Sequence, residues 1–156
     1  MRAPDFWHLP RPDWRARLLQ PLGALYAALK LAPSPVVMIS PETLGEVASS
    51  PCAQGGVAAA MDPAHSAAAH SADTVRAGAG IVSVAVADQV AHEARDHILD
   101  LTKHGAPFDR TETGGYVLSR EAAHSFAPVV RVPGDQAGAA IMKALIAEVR
   151  ATPSVQ

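Results

Sequence analysis

The chain has 156 residues, a formal net charge of −2 and one cysteine. A nearly neutral chain has no field for holding a polyanion, so the composition argues against nucleic-acid binding. With Cys52 alone, the chain has neither an internal disulfide nor a cysteine-based zinc site, which agrees with a reducing compartment such as the cytoplasm. No apolar run approaches the ~20 residues of a membrane-spanning helix. The first dozen residues also lack the apolar stretch of a signal peptide.

The first part of the chain has the pattern of an α/β fold. Residues 14–31 are predicted to form a helix, with leucines at helical spacing on one face. Pro21 interrupts this pattern and either kinks the helix or marks its true start. Residues 36–39 (VVMI) are a short apolar run typical of a buried strand in a parallel sheet. A helix followed at once by such a strand predicts a helix-rich α/β fold.

The remainder alternates turn-rich and helical stretches. Residues 41–56 are predicted to form a long loop that closes on Gly55-Gly56. Helices are predicted over residues 57–61, 65–77, 86–103 and 134–150, a hairpin at 114–118 and a short strand at 129–132. With so small a sheet, we expect strand 36–39 to expose an apolar edge.

The loop that ends in Gly55-Gly56 has the strongest chemical signal. If these glycines enter a helix, they expose backbone N–H groups that suit a phosphate or the edge of a flavin. Ser49 and Ser50 add hydroxyl donors nearby. Because Ser/Gly loops are also common without a ligand, these residues alone leave a binding role and a purely structural role open.

The seven histidines do not indicate a metal site. His92 and His97 enclose a glutamate, but their spacing is one residue longer than that of the H-E-x-x-H zinc motif. Five residues apart on a helix, two imidazoles point ~140° away from each other and do not share one ion. No nucleophile-elbow motif is present either, so a hydrolase is not expected.

Several segments together resemble one enzyme family. They are ASSPCAQGGVAAAM (48–61), HSADTVRAGAG (70–80), GAPFDR (105–110), SREAAHS (119–125) and GDQAGAAIMKALIAEVRATPSV (134–155). In order and spacing they resemble the FAD-dependent L-aspartate oxidases, which belong with the succinate dehydrogenase and fumarate reductase flavoproteins. The resemblance covers residues from about 25 to 156. It implies a dinucleotide-binding, Rossmann-like flavoprotein fold.

The resemblance also implies a cofactor, a substrate and the residues that contact them. The family oxidises L-aspartate to iminoaspartate on the route to quinolinate and NAD. Glu121 matches the acidic residue that recognises the substrate, and a carboxylate there would pair with the substrate ammonium group. Read without the resemblance, Glu121 is a solvated surface residue. No catalytic residue and no metal ligand are assigned; the residues implied to line the FAD are Ser49, Ser50, Ala53, Gln54, Gly55 and Gly56.

The chain departs from the family pattern at several places. Before the first predicted helix it has Gly23 alone instead of G-x-G-x-x-G, and no strand is predicted there, so the fold is expected to lack its first strand and its pyrophosphate cradle. Residues 126–128 (FAP) stand where the family carries arginines. The family's capping domain lies downstream of the matched residues. We therefore expect weak or absent FAD binding and no oxidation of L-aspartate by this chain without a further oxidase chain.

The N-terminal segment has a resemblance of its own. Residues 1–28 resemble the amino terminus of tetraacyldisaccharide 4'-kinases, which is a membrane-associated helix. Aromatic side chains such as Trp7 and Trp14 suit a membrane interface, with arginines facing the lipid headgroups. The chain is accordingly divided into an amphipathic segment, residues 1–23, and a partial FAD-binding domain, residues 24–156.

Two classes of function follow. The first is the flavin-binding portion of an L-aspartate oxidase, with FAD as cofactor and L-aspartate as the substrate. The second is a small helical protein without enzymatic activity that docks on a membrane or a partner through residues 1–22.

Overall fold

The computed structural model describes residues 16–19 (backbone only), 22–40, 43–44, 49–134 and 136–156. This part of the chain contains four α-helices and five short strands, which confirms the predicted helix-rich α/β fold. In chain order the elements are β1 (Ala16–Leu19), α1 (Leu22–Leu31), β2 (Val36–Ile39), a 3₁₀ turn (Ser50–Cys52), β3 (Gly56–Ala58), α2 (Ala67–Ala77), α3 (Val84–Lys103), β4 (Leu118–Ser119), β5 (Val129–Arg131) and α4 (Ala137–Ala151).

The first three elements form a β-α-β unit. β1 pairs in parallel with β2, with Ala16 opposite Val36 and Leu19 opposite Ile39. Of the two alternatives for Pro21, the structure confirms that it marks the true start of the helix, because α1 begins at Leu22. The helical prediction for residues 16–19 is wrong, since these residues form β1. The expectation that no strand precedes this helix is also wrong, because β1 lies directly before it. A short leucine-rich run fits both periodicities, and here its pairing with β2 decides the outcome.

β2 is paired on its other side as well. The backbone N–H of Val36 donates to the carbonyl of Ser154 at 2.8 Å, and that of Met38 donates to Gln156 at 2.7 Å. Gln156 in turn donates to the carbonyl of Val36 at 2.9 Å. The prediction of an exposed apolar edge is therefore wrong at Val36, which is buried where residues 154–156 pair with β2, but the side chain of Ile39 at the end of the strand is exposed.

A second sheet has the order β3-β5-β4, with both pairings antiparallel. Val57 lies opposite Val130, so the predicted helix over residues 57–61 is wrong. A Cβ added at Gly56 would lie 2.1 Å from the carbonyl oxygen of Val130, so only glycine permits this approach. Gly55-Gly56 consequently enters a strand and does not supply the N-terminus of a helix.

The helices enclose the core. α2 and α3 pack against each other, α1 packs on α4, and the predicted helices 65–77, 86–103 and 134–150 are confirmed to within a few residues. Ser66 caps α2 by accepting from the Ala69 N–H at 3.1 Å. The core is formed by residues from α1, α3, α4 and the antiparallel sheet together with neighbouring loop residues. It includes Leu25, Ile98, Leu101, Phe108, Val130, Val132, Ile141, Met142, Leu145 and Val149.

Two expectations concern membranes. Within the described part of the chain, no helix combines the length and the apolar character needed to span a bilayer. Residues 1–15 lie outside the described residues, so the membrane contact expected of residues 1–22 stays a prediction.

Candidate flavin site

Residues 49–56, called here the flavin loop, are held in shape by backbone hydrogen bonds. In the 3₁₀ turn, Cys52 N–H donates to the Ser49 carbonyl at 3.0 Å and Ala53 N–H donates to the Ser50 carbonyl at 3.1 Å. Gly55 has a φ of +75°, a conformation that favours glycine. The side chains of residues 52–54 are exposed, so the loop presents an open face of backbone and small side chains.

The start of α4 packs directly under this loop. The N–H of Gly138 donates to the carbonyl of Ala53 at 3.0 Å. A Cβ added at Gly138 would lie 1.8 Å from the carbonyl oxygen of Ser50 and 2.9 Å from the Cβ of Ala53. The loop and the helix therefore touch backbone to backbone, which a larger residue at position 138 would prevent.

The start of α1 reaches the same loop. The N–H of Leu22 donates to the hydroxyl oxygen of Ser50 at 3.2 Å. In Rossmann-like folds the phosphates of a dinucleotide bind at this end of the first helix. The serine hydroxyl lies there as well, and while it accepts from Leu22 it still has a proton to donate. The flavin loop therefore contacts the N-terminal end of α1 through Ser50.

Glu121 lies beside the flavin loop. Its Oε1 is 3.5 Å from the position that a Cβ on Gly55 would occupy. A turn holds this residue: His124 N–H donates to the Glu121 carbonyl at 3.0 Å, and Arg120 Nε donates to the His124 carbonyl at 2.8 Å. The structure thus brings together two residues that the resemblance implied to lie near the same ligand, although they are far apart in sequence.

The turn that carries Glu121 is attached to α2 through a buried carboxylate. Asp73 is 2% exposed. Its Oδ2 accepts from the Ser125 N–H at 2.6 Å, and its Oδ1 accepts from the Ser125 hydroxyl at 2.6 Å and from Arg76. These hydrogen bonds from Ser125 hold the pKa of Asp73 well below its usual range, with a further contribution from Arg76. Sequence reasoning did not identify this contact.

Three histidine rings pack beside that contact. The ring centroids of His65 and His70 are 5.8 Å apart, those of His70 and His124 are 5.4 Å apart, and Phe126 lies 5.3 Å from His65. Both ring nitrogens of buried His65 have no hydrogen-bond partner, and neither has Nδ1 of His70 or of His124. No group of His, Cys, Asp and Glu side chains in the described ranges is arranged to hold a metal ion.

The histidine packing predicts a dependence of stability on pH. Burial lowers the pKa of His70, and the neighbouring His124 and His65 lower it further, while Asp73 opposes them. Below the unfolded value of about 6.5 the unfolded chain therefore takes up this proton before the folded chain does, and the free energy of unfolding falls as the pH decreases. Urea unfolding of His70→Gln at a series of pH values should show a shallower loss below pH ~6.5 than the wild type.

His92→Gln is the control for this measurement, because His92 is an exposed residue on α3. Its unfolding free energy should follow the wild-type pH profile. If the His70 variant shows the same acid slope as the wild type, burial of His70 does not control the profile.

The fold and the loop together define a flavin-binding class of protein. A loop of exposed backbone, a glycine of positive φ and a serine hydroxyl at a helix start fit the edge and the phosphate side of a flavin dinucleotide. The FAD-binding domain family matches residues 22–156, most of the chain, and the chain belongs to this family. FAD, the cofactor implied by the sequence resemblance, is confirmed as the cofactor of its family.

Curated proteins similar to this chain are more specific than the family match, since they are L-aspartate oxidases. The chain is 48% identical over 141 residues to an L-aspartate oxidase of Caulobacter vibrioides and 41% identical over 147 residues to one of Agrobacterium fabrum. These alignments cover 90% and 94% of the chain but 27% and 28% of the relatives. The resemblance to L-aspartate oxidases is confirmed. The chain spans about a quarter of the length of the relatives it matches.

Solved structures confirm the fold. The Mycobacterium smegmatis Sdh1 complex in its apo form superposes with a TM-score of 0.81 at 24% identity, covering 91% of this chain and 27% of that one. An E. coli quinol fumarate reductase superposes with a TM-score of 0.82 at 22% identity, covering 91% and 25%. At these identities the likeness shows a shared fold.

The 94% coverage of this chain by the Agrobacterium alignment bears on its N-terminal part. So little of the chain is left out that β1 falls within the aligned region. The oxidase resemblance therefore starts before residue 25 and includes the strand that sequence reasoning missed. The resemblance of residues 1–28 to the kinases stays a prediction.

The individual ligand contacts remain predictions. Around the open face the structure gathers the residues predicted to line the FAD and the residue predicted to bind the substrate. These are Ser49, Ser50, Ala53, Gln54, Gly55, Gly56 and Glu121.

Proposed function

We propose that this chain is the flavin-binding part of an L-aspartate oxidase, in which the flavin loop contacts FAD and Glu121 pairs with the substrate ammonium group. The observation that carries the proposal is the position of the Glu121 carboxylate beside Gly55. A substrate amine held there would lie next to the flavin. When bound, FAD supplies the hydride acceptor that oxidation of an amino acid requires.

Each part of the loop has a separate role in this proposal. The backbone of Ala53, Gly55 and Gly56 approaches the flavin because none of these residues has a side chain beyond Cβ. Ser49 and Ser50 donate hydroxyl hydrogen bonds, and the exposed amide of Gln54 adds a donor and an acceptor. The domain that carries these contacts comprises residues 24–156 together with β1.

The phosphate end of the site is the weaker part. Gly23 stands alone where a dinucleotide cradle has three glycines, so fewer backbone N–H groups reach the pyrophosphate. We assign no catalytic residue in this chain. Oxidation of L-aspartate is therefore proposed for an assembly in which further polypeptide contributes residues to the site. The single cysteine, Cys52, which is exposed, supports a cytoplasmic location.

FAD binding tests the proposal. Titrating the chain into FAD should quench the flavin fluorescence, with an affinity limited by the incomplete phosphate cradle. Replacing Gly55 with alanine should weaken binding about tenfold, because an L-residue at positive φ costs roughly 1–2 kcal/mol and its Cβ points towards Glu121.

Gly114→Ala is the matched control. Gly114 also has positive φ, at +86°, but it lies in the hairpin before β4 and nothing lies within 4 Å of its added Cβ. It should bear a similar backbone strain without weakening FAD binding. Absence of flavin quenching by the wild-type chain at millimolar protein would refute the proposed function. Equal losses of FAD affinity in the Gly55 and Gly114 variants would show that the flavin loop does not contact FAD.

A further inference from the structure

α2 turns a polar face towards the interior. Its buried residues are His70, Ser71 and Asp73, where a surface helix ordinarily buries aliphatic side chains. A carboxylate is rarely buried unless it is paired and hydrogen-bonded, because leaving water costs free energy that its partners must offset. The contacts of Asp73 therefore need a reason beyond filling space.

Both carboxylate oxygens of Asp73 accept hydrogen bonds from Ser125, which lies in the same segment as Glu121. Oδ2 receives the backbone N–H of Ser125 and Oδ1 receives its hydroxyl, each at 2.6 Å. Arg76, one turn further along α2, donates to Asp73 and also to the Ser125 hydroxyl at 3.3 Å. Since the pKa of Asp73 lies well below its usual range, the carboxylate stays ionised and the contact persists at neutral and mildly acidic pH.

Ser125 is connected to Glu121 by the hydrogen-bonded turn at residues 121–124. The hydrogen bond from His124 N–H to the Glu121 carbonyl connects the residue beside Ser125 to Glu121 itself. The ring of His124 also stacks on His70, so α2 holds two neighbouring residues of this segment. The free end of the turn then places the Glu121 carboxylate at Gly55.

We propose that Asp73 is a positioning residue that holds Glu121 beside the flavin loop and so sets the preference for a dicarboxylate bearing an amino group. The inference rests on the proposed function. Asp73 does not touch the ligand; it acts through Ser125 and the turn at residues 121–124. A dicarboxylate without an ammonium group, such as succinate, makes no ion pair with Glu121 and should be insensitive to this arrangement.

The first test needs no ligand. Amide hydrogen exchange at His124 reports opening of the turn that carries Glu121. Asp73→Asn keeps the size of the side chain but removes its charge and one acceptor, and should lower His124 protection about tenfold while α3 amides keep theirs. Ser125→Ala should do the same. Asp96→Asn, an exposed aspartate on α3, is the control and should leave His124 unchanged.

The second test uses the FAD-loaded chain with L-aspartate and with succinate, read from the flavin difference spectrum. Asp73→Asn should raise the Kd for L-aspartate about tenfold and that for succinate less than about twofold. Glu121→Gln should show the same selectivity. Adding Asp73→Asn to Glu121→Gln should produce no further loss, since both act on one interaction.

Each outcome decides something. Unchanged His124 protection in Asp73→Asn refutes the positioning role. The specificity role is refuted by any of three results. These are equal weakening of L-aspartate and succinate binding, additive effects of Asp73→Asn and Glu121→Gln, or a wild-type flavin spectrum that does not change when L-aspartate is added. A chain that binds no FAD refutes the proposed function, and the exchange measurement still decides whether Asp73 fixes Glu121.

Discussion

Replacing Gly138 with alanine should lower the free energy of unfolding by about 3 kcal/mol and abolish FAD binding. The added Cβ would lie 1.8 Å from the Ser50 carbonyl oxygen, so either α4 or the flavin loop must move. The neighbouring atoms are backbone, which does not rotate away as a flexible side chain does. Urea unfolding measures the stability, and flavin fluorescence quenching measures the binding.

Gly23→Ala provides a control of opposite sign. Gly23 is the second residue of α1 as Gly138 is of α4, but a Cβ added there meets nothing within 4 Å. Since alanine is a better helix former than glycine, this variant should gain roughly 0.5–1 kcal/mol. Similar unfolding free energies for the two variants would show that α4 does not press on the flavin loop.

Replacing Leu145 with alanine should cost roughly 2–5 kcal/mol of unfolding free energy. Leu145 lies in the middle of α4 with 0% of its surface exposed, among the side chains of the core cluster. Truncation removes buried methyl groups and leaves a cavity that the packed helices fill only in part. Thermal or urea unfolding monitored by circular dichroism gives the value.

Leu31→Ala makes the same chemical change at the end of α1, where Leu31 is 44% exposed. Its cost should stay below about 1 kcal/mol, because little apolar surface returns to water. If the two truncations cost the same, the core does not lie where α1 and α4 meet.

The elements with a single strong periodicity were predictable from the sequence. α3 and α4 are long enough for a repeated apolar stripe, and the four apolar residues of β2 lie between turn signals. The starts of α3 and α4 differ from the prediction by a few residues, because local cap geometry and not the apolar stripe sets where a helix begins.

The short strands were not predictable in the same way. β1 and β3 have four and three residues, too few for a period, and their neighbours in the sheet decide their conformation. For β3, the deciding feature is the approach of Gly56 to Val130. That approach joins residues distant in sequence and leaves no local signal.

The residues of the candidate site were likewise predictable only where the signal is local in the sequence. The flavin loop and Glu121 were identified because they lie in contiguous segments that resemble a known family. The contact between Asp73 and Ser125 was missed because it joins α2 to a turn far along the chain. The sequence also does not show whether an aspartate is buried or exposed. Its only local hint was an acidic residue among the small residues of α2.

The hydrogen bonds between β2 and residues 154–156 have a consequence for the order of folding. They join the β-α-β unit of β1, α1 and β2 to residues 154–156, which lie far along the sequence. A ribosome releases the N-terminal unit long before those residues exist, so during synthesis β2 waits with one side unpaired. Contacts of such long sequence separation form slowly and late. The nascent chain therefore depends on prompt synthesis of residues 154–156, or on a chaperone, to keep that strand from pairing with another chain.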